Sequence, residues 1–152
     1  MINKKLVLII ILLFLQGCGY KPIFSSNNSI FSINKIELLE ENNINTKIKS
    51  SLKIYKKNDN TKKFYDLSIS SKRSKNILSK DSNGDPKIFL LNVSIEIDVI
   101  ENNTSKSKKS FNKSANYKNR SNKFELKKYE NRTASNLVDK IIEEIIVHLQ
   151  SL

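Results

Sequence analysis

The chain has one cysteine, Cys18, and one histidine, His148, and these are the two side chains best able to do chemistry near neutral pH. A lone cysteine closes no disulfide within the chain. One thiol and one imidazole are also too few for a metal site built on cysteine or histidine, which needs converging ligands. Serines and carboxylates are numerous, but none stands at a motif spacing from the histidine. Beyond residue 17 the only glycines are Gly19 and Gly84, so no glycine-rich loop can cradle a phosphate. Glu143 and Glu144 read as helix-surface charge, and His148 as a half-buried ring at the edge of an apolar arc. The expectation is a protein that is not an enzyme and needs no metal or cofactor.

What remains is the Cys18 thiol and its setting. Met1 to Lys5 is a short basic start, Leu6 to Leu15 is uninterrupted apolar sequence, and Leu15-Gln16-Gly17-Cys18 follows at once. A basic start, a short apolar run and a small residue before a cleavage point are the layout of a secretory signal peptide. As a helix the apolar run would be roughly 15 Å long, whereas crossing a bilayer core takes about 20 residues. It is too short to span. Leu15-Gln16-Gly17-Cys18 resembles a lipobox, the processing signal of bacterial lipoproteins. That resemblance implies a diacylglyceryl thioether on Cys18, cleavage just before it, and acylation of the new amine. Several acyl chains on one residue anchor firmly, where a single chain holds only marginally. In that resemblance a residue other than Asp after the cysteine, here Gly19, is compatible with delivery to the outer membrane. The expected division is a signal peptide over 1–17, a lipidated N-terminus and tether over 18–29, and one domain over 30–152. Removing residues 1–17 leaves 135 of the 152, enough for a single real core.

Periodicity supplies the scaffold. Ile30 to Leu39 alternates imperfectly and reads as a strand. Asn42-Asn43 offers a helix N-cap, after which Ile44, Ile48, Leu52 and Tyr55 fall on one helical stripe, and Asn58-Asp59-Asn60 ends the run. Tyr65, Leu67 and Ile69 alternate with polar residues that continue through Lys75. Asp81 to Pro86 is a turn cluster in which Gly84 can take a positive φ. From Ile88 to Ile100 the alternation is clearest, with Leu91, Val93, Ile95, Ile97 and Val99 on one face. Glu101-Asn102-Asn103-Thr104 suggests a hairpin into a weaker strand over Ser110 to Asn119. A final helix carries Ala134, Leu137, Val138, Ile141, Ile142, Ile145, Ile146, Leu149 and Leu152 on one arc. The order β-α-β-β-β-α implies an α+β two-layer sandwich, a roughly four-stranded sheet packed by two helices. The last three strands form a meander, and the first is able to pair in parallel with one of them.

The net charge is +12, or +10 without Lys4 and Lys5, and nearly all of it is lysine; Arg73, Arg120 and Arg132 are the only arginines. Such a balance raises nucleic acid as a partner. Export away from the chromosome and the scarcity of arginine, the residue suited to bidentate contacts, argue against it. Two readings stay open: attraction to an anionic envelope component, and a solvated surface without a partner. Lys72, Arg73 and Lys75 form one basic group, and Lys106, Lys108, Lys109, Lys113, Lys118 and Arg120 another. If their strands both neighbour the third strand, the groups could share a face or edge; the alternative is charge that prevents edge-to-edge association.

Several segments together resemble the LptE family of lipopolysaccharide-assembly lipoproteins. They are Cys18-Gly19-Tyr20-Lys21-Pro22-Ile23-Phe24, Tyr65 to Ile69, the turn around Gly84-Asp85, and Ser114-Ala115-Asn116-Tyr117-Lys118-Asn119 leading into the helix through Ala134, Leu137 and Ile141. The resemblance implies a lipid-anchored protein on the periplasmic side of the outer membrane. It would partner and plug the large β-barrel LptD in lipopolysaccharide transport and assembly, and catalyse no covalent reaction. It implies lipopolysaccharide as a ligand, with Arg73 and Lys75 the nearest candidate contacts. The rival expectation is an accessory lipoprotein of another barrel-assembly machine or of an envelope lipid transporter.

Overall fold

The structure, a computed structural model, describes residues 30–56, 61 and 63–152. The expected signal peptide, Cys18 and the 18–29 tether lie outside the described residues. The elements follow in the expected order: β1 (Phe31–Leu38), α1 (Asn43–Leu52, continued by a 3₁₀ turn at Lys53–Tyr55), β2 (Lys63–Lys80), β3 (Pro86–Glu101), β4 (Thr104–Lys118) and α2 (Lys123–Ser151). They build one sheet of order β1-β2-β3-β4. β1 runs parallel to β2, and the other two pairings are antiparallel. A parallel neighbour needs a crossover, which α1 provides. The α+β two-layer sandwich is the observed architecture.

Local chemistry sets the element ends. Asn42 Oδ1 accepts from the backbone N–H groups of Ile44 and Asn45 at 3.0 and 2.9 Å, capping α1. Asn122 caps α2 in the same way, through Phe124 and Glu125. Asn102 and Asn103 take φ values of 52° and 62° in the two-residue turn between β3 and β4. Two successive left-handed residues match the twist of a tight hairpin, and asparagine tolerates that region. Gly84, at φ 86°, sits in a turn whose Asp81 carboxylate accepts from the N–H groups of Asn83 and Asp85.

Three elements exceed what periodicity outlines. β2 continues past Lys75 to Lys80, β4 begins at Thr104 rather than Ser110, and α2 begins at Lys123, well ahead of Ala134. The physical reason for the strands is templating by β3. Its register with β2 runs from Asp66↔Ile100 to Lys80↔Pro86, and with β4 from Ile88↔Lys118 to Glu101↔Thr104. Ladder hydrogen bonds come from the backbone, so serine- and lysine-rich stretches without apolar alternation join once a strong strand lies beside them.

One face of the sheet is buried. Tyr65, Leu67 and Ile69 of β2 and Leu91 to Val99 of β3 meet Ile48 and Leu52 of α1 and Ile141, Ile145 and Leu149 of α2. α1 lies over β1 and β2, and α2 over β3 and β4; the helices are joined by an ion pair between Lys47 and Asp139 at 2.7 Å. The other face is open and mixed: small polar side chains, among them Ser68, Ser70, Asn92, Ser94, Asn112 and Ser114, stand beside the charged Asp66, Lys72, Glu96, Asp98 and Lys108 and the apolar Phe64 and Leu90. Phe31 pairs with Lys63, so the described chain enters at the sheet end opposite the β2–β3 turn.

Candidate functional site

The side-chain alternation of β2 continues past its apolar residues. Tyr65, Leu67, Ile69, Ser71, Arg73 and Lys75 all lie on the helix-covered face, as the period of two requires. On α2 the buried stripe likewise runs back from Ala134 through Glu130 to Leu126, in steps of four. Arg73 and Lys75 therefore meet Glu130, and the three form one network. Arg73 Nη2 donates to Glu130 Oε1, and Lys75 Nζ donates to Oε2 at 3.0 Å. Tyr117 Oη also donates to Oε2 at 3.0 Å, and Arg73 Nη1 reaches Asn131 Oδ1 at 3.2 Å. The ammonium of Lys75 stands 4.1 Å from the centroid of the Phe89 ring, a favourable cation–π distance.

Glu130 is only 6% exposed. Burial alone would raise its pKa, but hydrogen bonds from Lys75 and Tyr117 and the charges of Lys75 and Arg73 outweigh it, so the pKa is lowered. Lys75 shows the converse: burial would lower its pKa, and hydrogen bonds to Glu130 and Tyr117 raise it. Tyr117 is raised, first by burial and then by Glu130. The two basic residues singled out in the sequence are thus brought together, but around an acid that sequence reading passed over. The available signal was a charged residue at the helical step where the apolar stripe requires burial.

The two wider basic groups do not share one face. Lys72 points to the open face and lines a shallow depression with Glu40, Ser94 and Glu96. Arg73, Lys75 and Lys113 lie on the helix side, Lys113 pairing with Glu144. Lys108 pairs with Glu96 at 2.8 Å and Lys106 with Glu101 at 2.7 Å. A different convergence appears at the start of α2. The guanidinium groups of Arg120 and Arg132 flank the ring of Tyr129, at 4.7 and 5.8 Å from its centroid. Lys128 and Glu125 complete a notch of about 210 Å³. Among the described residues no carboxylate forms an ion pair with Arg120, Lys128 or Arg132. Tyr129 in turn lies 6.0 Å from Tyr117, so the notch adjoins the Glu130 network. Two of the chain's three arginines meet here, although they are well separated in sequence. Sequence reading grouped Arg120 with β4 and left Arg132 unassigned.

His148 is a half-buried ring, as its position on the arc suggests. Its Nε2 lies 2.9 Å from Ser107 Oγ, and the ring meets Phe111 edge-on at 6.1 Å. Burial, and then the nearby Lys109, lower its pKa. No helix among the described residues is long and apolar enough to cross a membrane.

No family model and no curated protein matches the sequence. Solved structures do match. An uncharacterized lipoprotein B from Nitrosomonas europaea superposes with a TM-score of 0.65 at 14% identity, over 88% of this chain and 92% of that one. A minor lipoprotein from Acinetobacter baumannii gives a TM-score of 0.61 at 14% identity, over 81% and 93% of the two chains. The rare lipoprotein B of Shewanella oneidensis gives 0.50 at 14% identity, over 78% and 92%. This chain shares its fold with bacterial lipoproteins. The likeness takes in nearly the whole of those chains, so it concerns the complete arrangement of sheet and helices.

Proposed function

We propose that this protein is an outer-membrane lipoprotein of the LptE type, anchored through Cys18, that partners and plugs an LptD-like barrel in lipopolysaccharide assembly. The observation that carries the reading is a conjunction. The lipobox-like Leu15–Cys18 precedes a domain whose whole architecture recurs in proteins that are themselves lipoproteins. The open sheet face supports it as well. Small serine and asparagine side chains suit contact with the polar, hydrated lumen of a large barrel, where an apolar face would strand water-facing groups. In this reading the anchor restrains the Phe31 end of the molecule, and the β2–β3 turn end with the start of α2 reaches away from it. At that far end Arg120, Lys128 and Arg132 around Tyr129 are the candidate contacts for lipid phosphate. Arg73 and Lys75 support them by fixing this part of α2 on the sheet through Glu130.

Two experiments test the proposal. Affinity purification from solubilised outer membranes is expected to recover an LptD-like barrel. Recovery of a different assembly barrel or an inner-membrane transporter would replace the reading with the rival one. Cys18→Ala is expected to abolish fatty-acid labelling and leave an uncleaved precursor; a mutant that still labels would remove the anchor from the argument.

A further inference from the structure

Several exposed apolar side chains gather at one corner of the sheet. Ile30, Ile54 and Phe64 are 53%, 58% and 43% exposed, and all three stand where the described chain enters. Ile30 immediately precedes β1, and Phe64 lies opposite Ser32 in the β1–β2 register. Ser32 Oγ donates to the Tyr55 carbonyl at 3.3 Å, and Lys56 bridges Ile33, which holds Ile54 against the outer side of the same strand start. A single exposed apolar residue is ordinary. Three on adjoining segments make a surface.

Lysines surround this corner. Lys53 and Lys56 are exposed, and Lys63 sits opposite Phe31 in the ladder. None of the three forms an ion pair among the described residues. The nearby acids are taken or set back. Glu101 pairs with Lys106 at 2.7 Å, and Asp66, the next side chain after Phe64 on the open face, lies opposite Lys35 in the register. Apolar side chains ringed by lysine suit contact with an anionic bilayer. The apolar groups enter the headgroup boundary, and the ammonium groups meet phosphates.

We propose that this entry corner rests on the phospholipid surface to which Cys18 anchors the chain. Position identifies the occupant. The corner directly follows the 18–29 tether, whose full extension spans at most about 43 Å. The β2–β3 turn lies a β2 length away, roughly 55 Å for its 18 residues. A chain held at Cys18 therefore presents its entry corner, and not that turn, to the leaflet. The inference rests on the Cys18 anchor of the proposed function and not on the barrel.

The chain contains no tryptophan, so a single introduced one reports its own surroundings. The test uses the full chain carrying Phe64→Trp and, separately, Phe124→Trp, whose position at the start of α2 is 74% exposed. Each is purified with the N-terminus the cell leaves on it. Each is then reconstituted in vesicles of phosphatidylethanolamine and phosphatidylglycerol with brominated acyl chains. Emission of the Phe64→Trp chain is expected to be quenched severalfold more than that of the Phe124→Trp chain. Replacing Lys53, Lys56 and Lys63 by glutamine, or raising the salt, is expected to weaken that quenching. Ile54→Trp is a second reporter on the same corner should Phe64→Trp disturb the sheet. Equal quenching at both sites, stronger quenching from Phe124→Trp, or quenching indifferent to both the lysines and salt would overturn the proposal. Intact mass tells separately whether Cys18 carries lipid. If it carries none, the anchor reading fails. The sole thiol is then coupled to a maleimide phospholipid, and the same comparison still decides the corner. Failure to recover a barrel from membranes would leave these results untouched.

Discussion

Replacing Glu130 by glutamine removes one charge from a buried carboxylate with three donors while keeping its shape. The carboxylate accepts from Arg73, Lys75 and Tyr117, and a charge-assisted hydrogen bond contributes about 1.5–3 kcal/mol. Those values cannot simply be summed. The side chains of Arg73 and Lys75 are 28% and 36% exposed, so each recovers hydration once its partner is neutral, and solvent already screens the pairs. Tyr117 can still donate to the amide oxygen. The expected net loss for Glu130→Gln is about 2 kcal/mol, rising to about 3 kcal/mol for Glu130→Ala, which also leaves a void and an unpartnered hydroxyl. At about 4 °C per kcal/mol for a domain of this size, the glutamine variant should melt about 8 °C lower.

The assay is thermal unfolding followed by circular dichroism across a pH series, and pH supplies an internal check. Glu130 has its pKa lowered in the folded state. Its contribution is therefore complete above the unfolded carboxylate value, about 4.3, and is lost as pH falls through the folded value. The gap between parent and Glu130→Gln should hold near neutrality and narrow below about pH 4. Melting within about 2 °C of the parent, or a gap unchanged down to acid unfolding, would refute the idea that this network holds α2 to the sheet.

His148 has a lowered folded pKa, so protons favour the unfolded chain as pH drops below about 6.5. Its contribution is whole above that pH and declines toward the lower folded value; His148→Gln should lose less denaturant resistance than the parent between about pH 7.5 and 5.5. This window lies well above that of Glu130, so chemical denaturation at a few pH values separates the two groups. Ile95, fully buried at the centre of β3, should cost about 3–4 kcal/mol as alanine; a loss under about 1 kcal/mol would mean the helices do not cover the sheet as described.

The sequence alone determined the element order, the turn chemistry and the core face. Those features are encoded locally: the alternation from Leu91 to Val99, the Ala134–Leu149 stripe, the Asn42 cap, and the asparagines and Gly84 at the turns. Each depends on backbone geometry within a few residues, and each lies where the pattern places it. The full length of β2, β4 and α2 was not legible. β2 and β4 are completed by a neighbour's backbone, which leaves no mark on their own side chains.

The charged residues divide in the same way. Cys18 stands out by its sequence context. Glu130, Arg73 and Lys75 each look like surface charge in a lysine-rich chain. Only the crossing of a strand's period of two with a helix's steps of four brings them to one buried point. Arg120 and Arg132 likewise gain a shared tyrosine only because the chain turns from β4 into α2 between them. Burial and proximity are properties of packed elements, so the tertiary structure decides which charges act together, while the sequence decides which elements exist to be packed.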